Sequence, residues 1–270
     1  IMGKEKARIL FISQEIAPYV PESELSVFSR DLAQGLQENG CEVRTFMPKY
    51  GCINERRNQL HEVIRLTGMN LIINDTDHPL VIKVATLQPT RLQVYFIYND
   101  DYFSRTVTKQ FETLTNKEEN DERSIFFVRG VFETTKKLSW EPNVIHCAGW
   151  IAALAPLYMK DVFKEEPAFA SAKMVCSITP NDLPENLNKA LADKCHEDGV
   201  LLKHMKGVRD TEVGYEDLMK LAIENSDGVV INDPNMSESL AQYIAQSGKP
   251  VLPYAEQLAV EAYKSFYESL

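Results

Sequence analysis

The sequence predicts an α/β fold, a doubly wound and mostly parallel sheet carrying an inserted antiparallel β-meander. Three observations predict it. Short apolar runs of the kind that buried parallel strands show alternate with stretches of helical spacing. From about residue 62 to 98 the pattern changes to consecutive β-rich runs separated by turn signals. Beyond that region the alternation of strand and helix resumes, as a sheet covered on both faces requires.

Arg8–Ser13 reads as the first buried strand, and Leu25, Phe28, Leu32 and Leu36 then recur at helical spacing until Asn39-Gly40 ends the helix. Residues 42–47 form the next strand and close a β-α-β unit. Three runs, 62–73, 80–87 and 92–98, give the meander, with turns expected at 74–79 and 88–90. The acidic stretch 115–121 is expected to be an exposed loop, 124–138 a helix, and Val144 to Cys147 a strand feeding a helix at 150–159. A strand at 174–178, helices at 187–195 and 215–225, a strand at 228–231 and a helix at 237–246 follow. A final amphipathic helix is expected over about 255–270, where Leu258, Ala262, Phe266 and Leu270 recur every four residues. No repeat, linker or low-complexity tract interrupts the series, so residues 1–270 are expected to form one domain.

Composition narrows the function. With 29 basic against 39 acidic residues the formal net charge is −10, which argues against nucleic acid or an anionic membrane as partner, because both need a cationic face. No apolar run approaches the roughly 18 residues that span a bilayer. A strand opening at Arg8 leaves no room for a leader, and five cysteines without C-x-x-C spacing read as reduced thiols, so a cytoplasmic location is expected.

Several chemistries have no sequence to support them. None of the twelve glycines is adjacent to another or separated from another by one residue, so no glycine-rich loop is available to cradle phosphate. The five histidines show no metal-ligand spacing, and no serine sits in a nucleophile elbow. Neither a cofactor nor a metal is expected. His146 stands out by placement, at the end of a strand on the carboxyl edge where such sheets hold ligands. It reads equally as a ligand contact and as a buried histidine bonded to backbone. Trp150 reads first as packing beneath that edge and second as stacking on a ligand.

The run Asn143-Val144-Ile145-His146-Cys147-Ala148-Gly149-Trp150-Ile151-Ala152-Ala153-Leu154 resembles the D-(V/I)-I-H-C-H-D-W-H-T-A-L segment of bacterial glycogen synthases and plant starch synthases. Four further segments are similar to that family, in its order, across residues 8 to about 160. Ile12-Ser13-Gln14-Glu15-Ile16-Ala17-Pro18-Tyr19 resembles its (A)-S-E-(V/I)-A-P-(F/Y) opening, and Phe46-Met47-Pro48-Lys49-Tyr50-Gly51 its M-P-(R/K)-Y. Asp101-Tyr102-Phe103-Ser104-Arg105 is similar to its F-D-R loop, and Glu122-Arg123-Ser124-Ile125-Phe126-Phe127-Val128-Arg129 to its E-R-F-x-F-F-(S/C)-R helix. The resemblance implies a Rossmann-like domain, one half of a two-Rossmann glycosyltransferase fold with its active site in the cleft between the halves. It also implies a substrate cleft, here vestigial, marked by Glu15, Tyr19, Arg105, His146 and Trp150.

The departures from the family pattern shape the functional expectation. The family's second histidine, aspartate and third histidine are replaced by Ala148, Gly149 and Ile151. Its K-T-G-G-L loop, which implies a lysine for the sugar nucleotide and close backbone approach to phosphates, becomes Pro21-Glu22-Ser23-Glu24-Leu25. Its T-I-H-N-L segment has Thr179 in the histidine's place. Two carboxylates facing a diphosphate repel it, and the chain ends where the resemblance would place the close of the family's first domain. The expectation is therefore an inactive relative with no catalytic residues of its own, which binds a glucan, a sugar nucleotide weakly, or a protein partner such as an active synthase. The alternative is a glucosyltransferase that moves glucose from ADP-glucose to an α-1,4-glucan with a second domain or chain. A third expectation is an unrelated activity on the same sheet edge.

Overall fold

The computed structural model describes residues 5–104 and 117–270. Its elements run in chain order as β1 (Arg8–Ser13), α1 (Glu24–Glu38), β2 (Glu42–Pro48), β3 (His61–Glu62), β4 (Asn70–Ile73), β5 (Thr76–Pro79), β6 (Val81–Leu87), β7 (Leu92–Tyr98) and α2 (Asp100–Phe103). They continue as α3 (Asn120–Lys137), β8 (Val144–Ala148), α4 (Ala155–Asp161), β9 (Lys173–Ile178), α5 (Leu191–Glu197), α6 (Tyr215–Glu224), β10 (Gly228–Ile231), α7 (Glu238–Ser247), β11 (Val251–Leu252) and α8 (Val260–Glu268).

Among the described residues nine strands form one sheet in the order β11-β10-β9-β8-β1-β2-β7-β6-β3. The seven from β11 to β7 pair in parallel, and β6 and β3 add antiparallel at one edge. The central strands are buried on both faces, which is why β1 and β8 read as continuous apolar runs rather than alternating ones. On one face Phe11 of β1 and His146 of β8 meet Phe28 of α1 and the Tyr263 and Tyr267 rings of α8. On the other, Ile97 of β7 closes against Gly130 of α3 so tightly that a Cβ at 130 would lie 3.0 Å from its side chain.

The meander differs in detail from the one predicted. The run 62–73 is not one strand: a 3-10 turn at Ile64–Leu66 and Gly68 at φ +103° interrupt it. β3 stays on the main sheet, whereas β4 leaves it and pairs with β5 in a separate ribbon. The turn between β4 and β5 is only Asn74-Asp75, both left-handed, as a two-residue hairpin turn that matches the twist of its strands requires, so 76–79 is strand and not loop. β7 joins the main sheet parallel to β2, and only its β6 edge is antiparallel.

Two further boundaries move. The terminal helix begins at Val260 and not near 255, because 253–259 runs as irregular chain along a groove described below. Asp121, expected in an exposed loop, is fully buried in the first turn of α3, where Lys194 Nζ reaches its carboxylate at 2.7 Å and that of Glu122 at 2.8 Å. Among the described residues no helix is long and apolar enough to cross a membrane.

Candidate functional site

The chain leaves β1 toward β2 on one side and returns to β8 on the other, so the carboxyl ends of β1 and β8 form the switch point of the sheet. There the Gln14 N–H donates to the Ala148 carbonyl at 3.0 Å, which sets Gln14-Glu15 against Ala148-Gly149. Gln14 is fixed from two further directions. Its Nε2 donates to Asp182 Oδ2 at 2.5 Å, and its carbonyl accepts the Tyr50 hydroxyl at 2.9 Å. Gly149 is the necessary partner of this side chain. Its φ is +94°, and a Cβ built there would lie 2.5 Å from Gln14 Cβ and 2.7 Å from Gln14 Oε1. Gln14 thus occupies the room that a larger residue at 149 would need.

Glu15 is 5% exposed and accepts a hydrogen bond from the Ser23 hydroxyl. Burial pushes its carboxyl from 4.5 up to about 7, Ser23 opposes that rise, and the nearby Asp182 carboxylate adds to it. The folded state therefore binds this proton more tightly than the unfolded chain does. Its stabilising effect is complete below pH 4.5 and is lost as pH rises through about 7. At about 1.4 kcal/mol per pH unit, the span is worth about 3 kcal/mol. Urea titrations of the wild type and Glu15→Gln between pH 4.5 and 7.5 should show a steeper fall in the wild type. Parallel curves would remove Glu15 as the titrating group.

Ser23 is also the N-cap of α1. The Ser26 N–H donates to Ser23 Oγ at 3.0 Å and the Ser23 N–H to Ser26 Oγ at 2.8 Å, a reciprocal box that consumes amide donors a bound anion would otherwise use. Glu22 and Glu24 flank the cap, both exposed.

The sequence-marked residues are only partly gathered. Tyr19 is buried edge-on to Phe96, centroids 5.0 Å apart, and burial pushes its hydroxyl up to about 12. Trp150 is buried in a 3-10 turn directly after Gly149. His146 lies beneath α8, wholly buried, with Nδ1 2.6 Å from the Tyr267 hydroxyl and Nε2 2.6 Å from Ser177 Oγ. Ser177 Oγ also accepts Asn232 Nδ2 at 3.0 Å, and Asn232 Oδ1 accepts the Tyr263 hydroxyl at 3.0 Å. Burial pulls His146 down to about 3, so its ring is neutral and both nitrogens are occupied by protein groups. Arg105 lies outside the described residues.

The open volume lies beside this edge. A groove of about 640 Å³ runs between the start of α1 and residues 252–263, with Thr179 and Asn232 from the ends of β9 and β10 in its lining. Glu22, Glu24, Asp31 and Glu256 line it, and among the described residues no lysine or arginine does. Sequence reasoning missed Gln14, Tyr50 and Asp182. The Gln14–Asp182 bond joins residues 168 positions apart, and no local pattern announces such a contact.

Comparison with known proteins identifies the scaffold. A family model described as the starch synthase catalytic domain matches residues 8–249. The glycogen synthase of Chlorobium luteolum is 38% identical over 178 residues, 66% of this chain and 36% of that protein. That of Chlorobaculum tepidum is 31% identical over 258 residues, 92% of this chain and 52% of the relative. Among solved structures, the catalytic domain of starch synthase IV from Arabidopsis thaliana, bound to ADP and acarbose, superposes with a TM-score of 0.72 at 18% identity. It covers 96% of this chain and 53% of that one, and at this identity it speaks for the fold. The chain thus spans about half or less of the length of these relatives.

Proposed function

Because the chain belongs to the starch and glycogen synthase family, we propose that it is a glycosyltransferase-type domain that does not itself transfer glucose and works by binding a glucan or a protein partner such as an active synthase. The observation that carries this reading is the start of α1. Where the family pattern has a lysine and two glycines, this chain has Pro21-Glu22-Ser23-Glu24, and the capped turn Glu22-Ser23-Glu24 lines a groove in which no described residue is basic. Stabilising the charge on a leaving diphosphate is commonly the largest catalytic contribution in such chemistry, and these groups have the wrong sign. Ala148, Gly149 and Ile151 remove three further polar groups of the motif. Glucan binding is supported by the acarbose on the Arabidopsis neighbour. We place the protein in the cytoplasm on the same reading.

A second reading has one observation in its favour. Glu15, a residue of the shared motif, is buried at the switch point with a carboxyl that titrates near neutrality, as a general acid or base needs. On that reading the chain is half of a glucosyltransferase site completed by a second domain or chain.

Thermal unfolding with ADP-glucose, ADP and maltotetraose separates the two. A ligand at a hundredfold excess over Kd stabilises by about 2.7 kcal/mol. The first reading expects a shift with maltotetraose or with none of the three, and no turnover. A clear shift with ADP-glucose, or glucose transfer on adding a partner chain, would overturn it.

A further inference from the structure

We propose that the seat of α8 also accepts the α8 of a second copy of this chain, so that two copies form a dimer by exchanging these helices across residues 253–259. Such an exchange closes two chains with contacts that each already makes within itself.

The seat is the first argument. α8 packs into notches that two glycines leave open. A Cβ at Gly35 of α1 would lie 2.5 Å from Val260, and one at Gly228 of β10 would lie 2.9 Å from Phe266. Polar anchors set the register of the helix in these notches. The Tyr267 hydroxyl meets His146 Nδ1 at 2.6 Å, the Tyr263 hydroxyl donates to Asn232 Oδ1 at 3.0 Å, and Lys264 Nζ donates to the Asn39 carbonyl at 3.0 Å. The receiving groups stand on α1, β8 and β10 or directly after them. They form the same seat whichever copy supplies the helix.

The segment that leads to α8 is the second argument. Residues 253–259 are exposed without a break and border the open groove. Among the described residues 253–258 make no hydrogen bond or ion pair. Fully extended, seven residues reach roughly 23–25 Å. α8 is therefore fixed by its seat and not by the strap before it, and that strap can lead to the seat of a neighbouring copy. A short flexible strap gives a tethered element an effective concentration on the order of 1 mM at its own seat. Each α8 makes the same contacts in either arrangement, so the exchanged dimer has a dissociation constant of that same order.

Two separately substituted chains test the proposal, Asn39→Cys and Lys264→Cys, each also carrying Cys52→Ser to remove the exposed thiol. The two are mixed, unfolded in urea and refolded together. At about 0.2 mM, on the order of a fifth of the protein should run as a dimer by size exclusion with light scattering, against about 1% at about 5 μM. A short bismaleimide should then join position 39 of one chain to position 264 of the other, as mapped by peptide mass spectrometry. Thermal unfolding confirms that both variants are folded. Absence of a dimer at 0.2 mM would overturn the proposal. So would a dimer that never yields the 39–264 link, or a link formed equally by chains refolded apart and then mixed, because the copies would then meet through their surfaces.

Discussion

Gly149→Ala is expected to destabilise the chain by about 2–6 kcal/mol, although it adds a single methyl group. Two costs combine. A side chain at φ +94° occupies backbone space that only glycine enters freely, at about 1–3 kcal/mol. The new Cβ would also lie 2.5 Å from Gln14 Cβ, and that atom is held to the end of β1, so it cannot swing away as the tip of a long side chain would. Overpacking of this kind costs a further 1–3 kcal/mol or so. For a chain of this size the melting temperature should fall by roughly 10 °C. Gln14→Gly removes the colliding atom but not the backbone strain, so Gln14→Gly with Gly149→Ala should recover the overpacking portion. A double-mutant cycle by urea unfolding should give a coupling of about 1–3 kcal/mol. Additive effects of the two substitutions would show that the close approach of 14 and 149 is not what fixes glycine there.

Lys194→Met should be comparably damaging for a different reason. Asp121 is fully buried and Lys194 nearly so, and the ammonium satisfies Asp121 and Glu122 together. Burial pushes the Asp121 carboxyl up, and Lys194 is the largest influence pulling it back down. Removing the cation leaves an uncompensated buried carboxylate, a change that typically costs about 3–5 kcal/mol. The loss should shrink as pH is lowered, because a carboxyl with a raised folded-state pKa is stabilising when protonated and destabilising when ionised. Adding Asp121→Asn should recover a large share at pH 7. If Lys194→Met unfolds with the wild-type midpoint, the ion pair is ornamental and α3 is held by its apolar face alone.

The fold was legible because its signals are local and repetitive. Buried parallel strands announce themselves as apolar runs, and caps such as Asn39-Gly40 mark where helices stop. The meander was less legible, because the choice between one strand over 62–73 and two strands on different sheets depends on partners and not on the run itself. The shared motifs divided in an instructive way. Glu122 and Arg123, conspicuous in the sequence, turn inward: Arg123 Nε donates to the Tyr102 carbonyl at 2.7 Å, and Glu122 joins the Lys194 cluster. They hold α3 against α2 and α5, so they are scaffold. The switch point was marked by Glu15 and Gly149, but the fact that Gln14 fills the space above Gly149 and reaches Asp182 is a property of three dimensions only.

The hydrogen bonds around His146 carry a consequence for how the molecule comes apart. Here Tyr267 and Tyr263 of α8 each insert a hydroxyl among strands, one onto His146 and the other through Asn232 toward Ser177. Peeling α8 away would leave His146 Nδ1 in the core and Asn232 Oδ1 at the groove without their partners, at about 1–3 kcal/mol for a buried group left unsatisfied. Detachment of α8 and opening of the β8–β9–β10 edge thus become a single cooperative event, and α8 shares the lifetime of the sheet on which it rests.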